Sequence, residues 1–170
     1  MGAPGHAPVR KSYTPDREVP NVFVNPSAAD MRAHLESVRT IAVLGLSNRP
    51  LRDSYGVARY LEEAGYKVVP VNPTIEMWEG HQSFPDLATA ARAAEGVGRK
   101  IDLVVVFRRP SEVRRIVQEL LKLKMPAAWF QLGVIDWDAA RRAREHGMWV
   151  VMDHCIAVEH RKLLGAPVGV

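Results

Sequence analysis

The chain contains 170 residues, 47% of which are apolar, and carries a formal net charge of +4. This length and apolar content suffice for one well-buried domain and argue against two. The single cysteine excludes an internal disulfide and is typical of a reducing cytoplasm, and no apolar run reaches the length of a membrane span.

The positive charge is spread along the sequence rather than concentrated in one segment. Arg108 and Arg109 follow a predicted strand, whereas Arg114 and Arg115 fall on a predicted helix. No helix-turn-helix, zinc-finger or RNA-binding aromatic pattern accompanies these arginines. We therefore expect neither nucleic acid nor a membrane as a partner, and a small polyanion is a better match for the basic loops.

The first 20 residues differ in composition from the remainder. They read MGAPGHAPVRKSYTPDREVP, are rich in glycine and proline, and show neither an apolar period nor the apolar centre of a secretory signal. We predict that residues 1–20 form a flexible N-terminal arm and that residues 21–165 form the folded domain. A short helix beginning near Pro26 would pack Met31, Leu35 and Val38 beside the sheet.

The segment IAVLGLSNRPLRD, residues 41–53, is typical of a strand that leads into a helix at a nucleotide site. The apolar strand ends at Gly45, and a helix is predicted from Ser54 to Glu63. Free N–H groups and the positive end of the helix dipole favour an anion at such a helix start. We interpret the missing side chain of Gly45 as room for a phosphate-bearing ligand, so a valine there should block the ligand while the strand still forms.

The glycine pattern alone is weak evidence for a ligand. The dinucleotide fingerprint G-x-G-x-x-G requires three glycines, whereas the next glycine after Gly45 is Gly56. A plain strand-to-helix turn that binds nothing therefore remains an alternative.

Four further apolar runs follow, and none alternates between apolar and polar residues. Such runs are typical of strands buried on both faces of a parallel sheet, and they cover Lys67–Val71, Asp102–Phe107, Ala127–Gln131 and Trp149–Met152. Helical patterns separate them, one after Pro110 and one ending at Gly147. The alternation predicts an α/β fold, a doubly wound parallel sheet of five strands flanked by helices, with the strands ordered 3-2-1-4-5.

The second predicted strand ends in the sequence VVPVNP. NAD-binding folds place a carboxylate at this point, where it holds a ribose hydroxyl, but here the residue is Asn72. An NAD-dependent dehydrogenase is therefore disfavoured. Asn72 either hydrogen-bonds a ribose or, with Pro73, simply forms the turn.

Five segments carry a resemblance to a known family: IAVLGLSNRP, VVPVNP, DLVVVFRRP, AAWFQLGV and WVVMDHCIAVEHRKL. In this order and spacing they resemble the small stand-alone CoA-binding proteins, whose fold is similar to that of the CoA-binding domain in the succinyl-CoA synthetase α-subunit. The resemblance covers the chain from about Phe23 to Leu164. It implies a Rossmann-like fold that binds coenzyme A across the carboxyl ends of the strands.

The resemblance also implies which residues meet the cofactor. The pyrophosphate would be contacted by Gly45, Leu46, Ser47 and Asn48. The ribose-phosphate side would be contacted by Asn72 and Pro73, and the adenine would be flanked by Phe107, Arg108 and Pro110. Arg49, Arg52 and Arg108 lie on predicted loops at the same edge and would pair with the 3′-phosphate. The pantetheine arm would run past Gln131 and Gly133. The family usually continues its last strand with Asp-Arg-Cys, whereas this chain has an Asp-His-Cys sequence ending at Cys155, so the role of that arginine is not carried over.

The sequence assigns no catalytic group. No Ser-His-Asp triad or pair of carboxylates stands out by spacing, and His154, Cys155 and His160 match no strong zinc spacing. We interpret Cys155 as a buried cysteine beside a helix start, although a redox role for an activated thiolate stays open.

We therefore expect a CoA- or acyl-CoA-binding protein of the cytoplasm, without a catalytic domain of its own, that acts as a CoA sensor or carrier. The alternatives are a nucleotide-dependent oxidoreductase and the CoA-binding partner of an acyl-CoA ligase. A protein partner is left open and unidentified.

Overall fold

The computed structural model of the protein describes residues 21–167. Strands follow in chain order as β1 (Thr40–Leu44), β2 (Lys67–Val71), β3 (Met77–Trp78), β4 (His81–Gln82), β5 (Leu103–Val106), β6 (Ala127–Phe130) and β7 (Trp149–Met152). The helices are α1 (Ala28–Ser37), α2 (Asp53–Glu63), α3 (Leu87–Gly96), α4 (Val113–Lys122), α5 (Trp137–Glu145) and α6 (Ile156–Leu164). The prediction for residues 1–20 lies outside the described residues.

The central element is a parallel sheet of β1, β2, β5, β6 and β7, while β3 and β4 form a separate antiparallel pair. The Rossmann-like α/β fold is thus confirmed, and the strands agree with the predicted runs to within one residue at each end. Strands β5 and β6 are buried along their whole length, which explains why their sequences are continuously apolar.

The strand order differs from the prediction. The sheet is ordered β2-β1-β5-β6-β7, so β5 pairs with β1 and not with β2. Pro70 gives the physical reason, because proline has no N–H to donate to a neighbouring strand and is found at sheet edges. The Pro70 carbonyl accepts a hydrogen bond from the Phe84 N–H at 3.0 Å on the outer side of β2. The predicted order is wrong because it places this strand inside the sheet.

Two apolar layers cover the sheet, since successive residues of a strand point to opposite faces. Ala42 and Val104 face the layer formed by α3, α4 and α5. Val43 and Val105 face the layer formed by α1, α2 and α6. Both layers leave the carboxyl ends of the strands to the connecting loops, where a ligand site is expected in this type of fold.

The sequence interpretation missed the segment between β2 and β5. This segment forms the β3–β4 pair and helix α3, whose N-terminal cap is Asp86. The Asp86 carboxylate accepts a hydrogen bond from the Thr89 N–H at 2.7 Å, and Leu87, Ala90 and Ala94 form the buried face of the helix. A capping aspartate ahead of that apolar spacing is the signal that identifies α3 in the sequence.

A buried polar contact joins helices α2 and α6. The Tyr60 hydroxyl and His160 Nδ1 lie 2.9 Å apart, and both residues are buried. Burial lowers the pKa of His160, because the imidazolium form would lose its hydration. Burial also lowers the pKa of His34 on α1, which stacks on Trp149 with the ring centroids 3.7 Å apart.

We predict that the free energy of unfolding falls as the pH drops below 6.5, the ordinary pKa of histidine. A histidine whose pKa is lower in the folded than in the unfolded state opposes folding once the unfolded chain takes up the proton. The contribution of these two histidines to the free energy of unfolding is therefore fully present above this pH and decreases progressively below it. The measurement is denaturant unfolding between about pH 7.5 and about pH 5.5, where the free energy of unfolding of the His160→Gln protein should depend less on pH than that of the parent.

The control for this experiment is Gln118→Asn, which changes an exposed residue of α4 that does not titrate. This control should leave the pH dependence as it is in the parent protein. An unchanged slope in the His160→Gln protein would contradict the prediction.

Candidate functional site

A groove runs across the carboxyl ends of the sheet strands and has two parts. The first, which we call the polar half, has a volume of about 620 Å³ and is bordered by the β1–α2 loop, the start of α2 and the residues after β2. The second, the mixed half, has a volume of about 1220 Å³ and is bordered by the loops after β5 and β6 and by α6. Arg52, Asp53 and Phe107 line both halves, so the two adjoin at these residues.

Gly45 lies at the end of β1 and is required by the fold itself. Its φ is +85°, and a Cβ atom added there would stand 2.1 Å from the carbonyl oxygen of Phe107. Its N–H donates to the Val71 carbonyl at 2.9 Å, so this donor is used within the sheet. The expectation that valine at this position leaves the fold intact is therefore wrong, because the side chain would collide with the backbone of the neighbouring strand.

The loop after Gly45 is held in a defined conformation by serine hydroxyls. The Ser47 N–H donates to Ser54 Oγ at 3.0 Å, and the Arg49 N–H donates to Ser47 Oγ at 3.1 Å. Ser47 Oγ is thus used as an acceptor, but its O–H remains able to donate to an anion. Leu46 is fully buried and accepts a hydrogen bond at its carbonyl, so it can meet a ligand only through its backbone.

Asn72 holds this loop from the side of β2. Its Nδ2 donates to the Leu46 carbonyl at 3.0 Å, while its Oδ1 accepts the Thr74 N–H at 2.9 Å and the Thr74 hydroxyl at 2.8 Å. These bonds hold the turn formed by Asn72 and Pro73. Pro73 lines a separate hollow together with Glu76, outside both halves of the groove.

The start of α2 offers the polar half a positive field. Among residues 21–167 no side chain caps this helix, whose N-cap residue is Arg52, so the helix dipole favours a negative charge here. Arg49 and Arg52 are exposed, and neither forms an ion pair with another described residue. Asp53 in the first turn opposes this field in part, and Asn48 borders the same cavity.

Arg108 already has a partner within the protein. Its guanidinium Nη2 lies 2.7 Å from Glu112 Oε1, and this hydrogen bond holds the pKa of the Glu112 carboxyl below its usual range. A phosphate that binds Arg108 must therefore compete with Glu112. Pro110 is exposed and begins the short 3-10 turn that carries Glu112, whereas Phe107 is half-buried at the junction of the two halves.

Gln131 forms the floor of the mixed half and is 5% exposed. Its Oε1 accepts the Ile156 N–H at the start of α6 at 3.0 Å, which turns its Nε2 toward Cys155 Sγ at 3.7 Å. Nearby, the Gly133 N–H donates to Asp153 Oδ1 at 2.9 Å. Gln131 and Gly133 thus position the loop after β6 and the N-terminus of α6.

The histidines and the cysteine that follow β7 have partners or positions of their own in the described part of the chain. His160 is buried against Tyr60, and His154 Nδ1 lies 3.3 Å from Glu159 Oε1. Within residues 21–167, no group of three or more histidine, cysteine, aspartate or glutamate side chains is arranged to hold a metal ion. Cys155 is half-buried at the N-cap of α6 and borders the mixed half.

Several groove residues escaped the sequence interpretation because they lie on α6. Arg161 places its guanidinium carbon 5.0 Å from the centre of the Tyr60 ring, and both side chains line the mixed half. Ala157 and Val158 come from the same helix. The alternation of strands and helices in the sequence is the signal that could have found these residues. A helix that directly follows β7 begins at the same edge of the sheet as α2 and therefore borders the same groove.

Comparisons with known proteins agree with this architecture. Residues 39–161 match the model of a family described as the CoA binding domain. Uncharacterized protein YneT of Bacillus subtilis (strain 168) is 37% identical over 136 residues, which are 80% of this chain and 96% of that protein. The matched range 39–161 includes every segment that borders the groove.

Two solved structures are similar as well. A hypothetical protein from Pyrococcus horikoshii OT3 is 32% identical, with a TM-score of 0.73, and the match covers 82% of this chain and 94% of that one. The structure of cell-free ID.343 from Thermus thermophilus is 34% identical, with a TM-score of 0.70, and the match covers 82% of this chain and 100% of that one. In the described range, residues 21–167, no helix is long and apolar enough to cross a membrane.

We predict that Gly45→Ala lowers the free energy of unfolding by more than about 3 kcal/mol, because the methyl group meets the Phe107 backbone in a strained conformation. Gly56→Ala is the matched control, since nothing lies within 4 Å of a Cβ atom added in this helix. The control should gain up to about 1 kcal/mol from helix propensity. Denaturant unfolding measures both, and a Gly45→Ala protein as stable as the parent would contradict the structural role of this glycine.

Proposed function

We propose, from the premise that the chain belongs to the CoA binding domain family, that its groove binds coenzyme A. The observation that carries the proposal is that the family match spans both halves of the groove. The division of the groove supports it, because coenzyme A joins a nucleotide with three phosphates to a long uncharged arm. The proposal assigns the phosphates to the polar half and the pantetheine arm to the mixed half.

In the polar half, the pyrophosphate would lie at Ser47 and Asn48 before the start of α2. The supporting features are the uncapped helix start and the hydroxyl of Ser47, which is free to donate. Arg49 and Arg52 would pair with the 3′-phosphate, since both are exposed and line this half. Phe107, at the junction of the two halves, would contact the adenine.

In the mixed half, the arm would pass the loop after β6, which Gln131 and Gly133 position, and end near Cys155. The polar side chains on this floor bond to the protein itself, as Gln131 does to the N-terminus of α6. We therefore propose a carrier or sensor of coenzyme A rather than an enzyme. The proposal gives none of these side chains a catalytic role.

The first test concerns the choice of nucleotide. Calorimetric titration should show binding of CoA and little binding of NAD. The reason is that Asn72 replaces the carboxylate that holds the ribose in NAD sites, and its amide group is used in bracing the β1–α2 loop. Tighter binding of NAD than of CoA would overturn the proposal.

The second test locates the 3′-phosphate. We expect Arg49→Gln to weaken CoA by about fivefold, or about 1 kcal/mol, a value that allows for the exposure of this arginine. The affinity for 3′-dephospho-CoA should change much less. Arg99→Gln is the control, because Arg99 is exposed on the loop that leads into the opposite end of β5. Equal losses for the two ligands would remove Arg49 from the 3′-phosphate site.

A further inference from the structure

Three exposed apolar side chains line the mixed half, and we call them its rim. Leu51 is 99% exposed, Leu132 is 66% exposed and Val158 is 41% exposed, and all three line this cavity. They come from separate parts of the chain: the β1–α2 loop, the β6–α5 loop and helix α6. An apolar patch assembled from three elements around one concavity marks a surface that binds an apolar group.

The apolar lining continues from this rim toward the floor. Val57 is half-buried, while Val134 and Ala157 are buried, and each lines the same cavity. Cys155 borders the cavity beside them. An apolar ligand group can thus lie between the rim and Cys155 with contacts along its length.

The part of the groove next to this apolar rim indicates which apolar group would bind to the rim. The mixed half adjoins the polar half at Arg52, Asp53 and Phe107, and it has the larger volume of the two, about 1220 Å³ against about 620 Å³. The pantetheine arm itself carries a hydroxyl, two amide groups and a thiol, which divide its methyl and methylene groups into short apolar stretches. The longest continuous apolar part of such a ligand is the aliphatic acyl group that a thioester attaches to the thiol.

We propose that the protein binds acyl-CoA thioesters in preference to free CoA, with an aliphatic acyl chain against Leu51, Leu132 and Val158. This inference rests on the proposed CoA site. It adds a ligand class and a subsite to it: a straight acyl chain of several carbons that lies on the apolar rim of the mixed half.

The test compares two thioethers that cannot transfer their chain, S-methyl-CoA and S-hexyl-CoA, by calorimetric titration of the full chain. Each fully buried methylene strengthens binding up to about fourfold, and an open rim buries only part of the chain, so we expect S-hexyl-CoA to bind about tenfold tighter. Leu132→Ser and, separately, Val158→Ser should each reduce this ratio to about threefold or less. Val97→Ser is the matched control, because Val97 is 68% exposed after α3 and borders neither half of the groove; it should keep the full ratio.

A second measurement reports the position of the chain. Cys155 is the only cysteine in the sequence. The rate at which iodoacetamide alkylates the protein therefore reports how accessible this one thiol is. At equal occupancy, S-hexyl-CoA should slow the alkylation more than S-methyl-CoA does. Neither thioether carries a free thiol that would consume the reagent.

The outcomes separate this inference from the proposed function. Equal affinity for both thioethers overturns the acyl subsite and leaves the CoA site standing, whereas failure of both to bind overturns the CoA site as well. Sedimentation of the parent and Leu132→Ser proteins without ligand tests another occupant. A parent dimer that dissociates on this substitution would make the rim a contact between copies and would overturn the acyl subsite.

Discussion

The groove depends on the close contact between the ends of β1 and β5. The Phe107 carbonyl fills the space where a side chain at position 45 would stand, and the Phe107 N–H donates to the Leu44 carbonyl at 2.9 Å. Between these two strands the winding of the chain changes direction, since β2 lies on one side of β1 whereas β5, β6 and β7 lie on the other. Loops on the two sides therefore separate and leave a crevice, which is where open α/β sheets bind their ligands.

Several polar side chains around this crevice form hydrogen bonds with the backbone of the surrounding loops. Asn72 braces the β1–α2 loop, Ser54 accepts the Ser47 N–H within it, and Gln131 fixes the start of α6. A site built in this way needs little further ordering when a ligand arrives, which reduces the entropic cost of binding. The backbone N–H groups at the start of α2, the Ser47 hydroxyl as a donor, and the exposed guanidinium groups of Arg49 and Arg52 are not used in this bracing.

The fold could be predicted from the sequence because buried parallel strands such as β5 and β6 have a continuous apolar pattern that few other elements share. Their order could not be derived from apolar pattern alone, although Pro70 carried the relevant signal. Groove residues adjacent to Gly45 were predicted together with it because one short loop contains them. Arg161 was missed because a local pattern does not tell which side of a late helix faces a distant loop. For Gly45, the sequence indicated that a side chain is excluded but not that the Phe107 backbone excludes it.

The outer side of β2 has a consequence for strand pairing between copies of the chain. An edge strand normally presents unpaired backbone groups that can recruit a strand of another chain. Here Pro70 has no N–H to present, its carbonyl accepts the Phe84 N–H, and the Asn72 N–H donates to the Phe84 carbonyl at 2.9 Å. Only Val68, by the alternation of the strand, still presents a backbone pair outward, and the exposed, charged Lys67 stands next to it. The turn that braces the ligand groove therefore also makes this edge a poor template for intermolecular sheet growth.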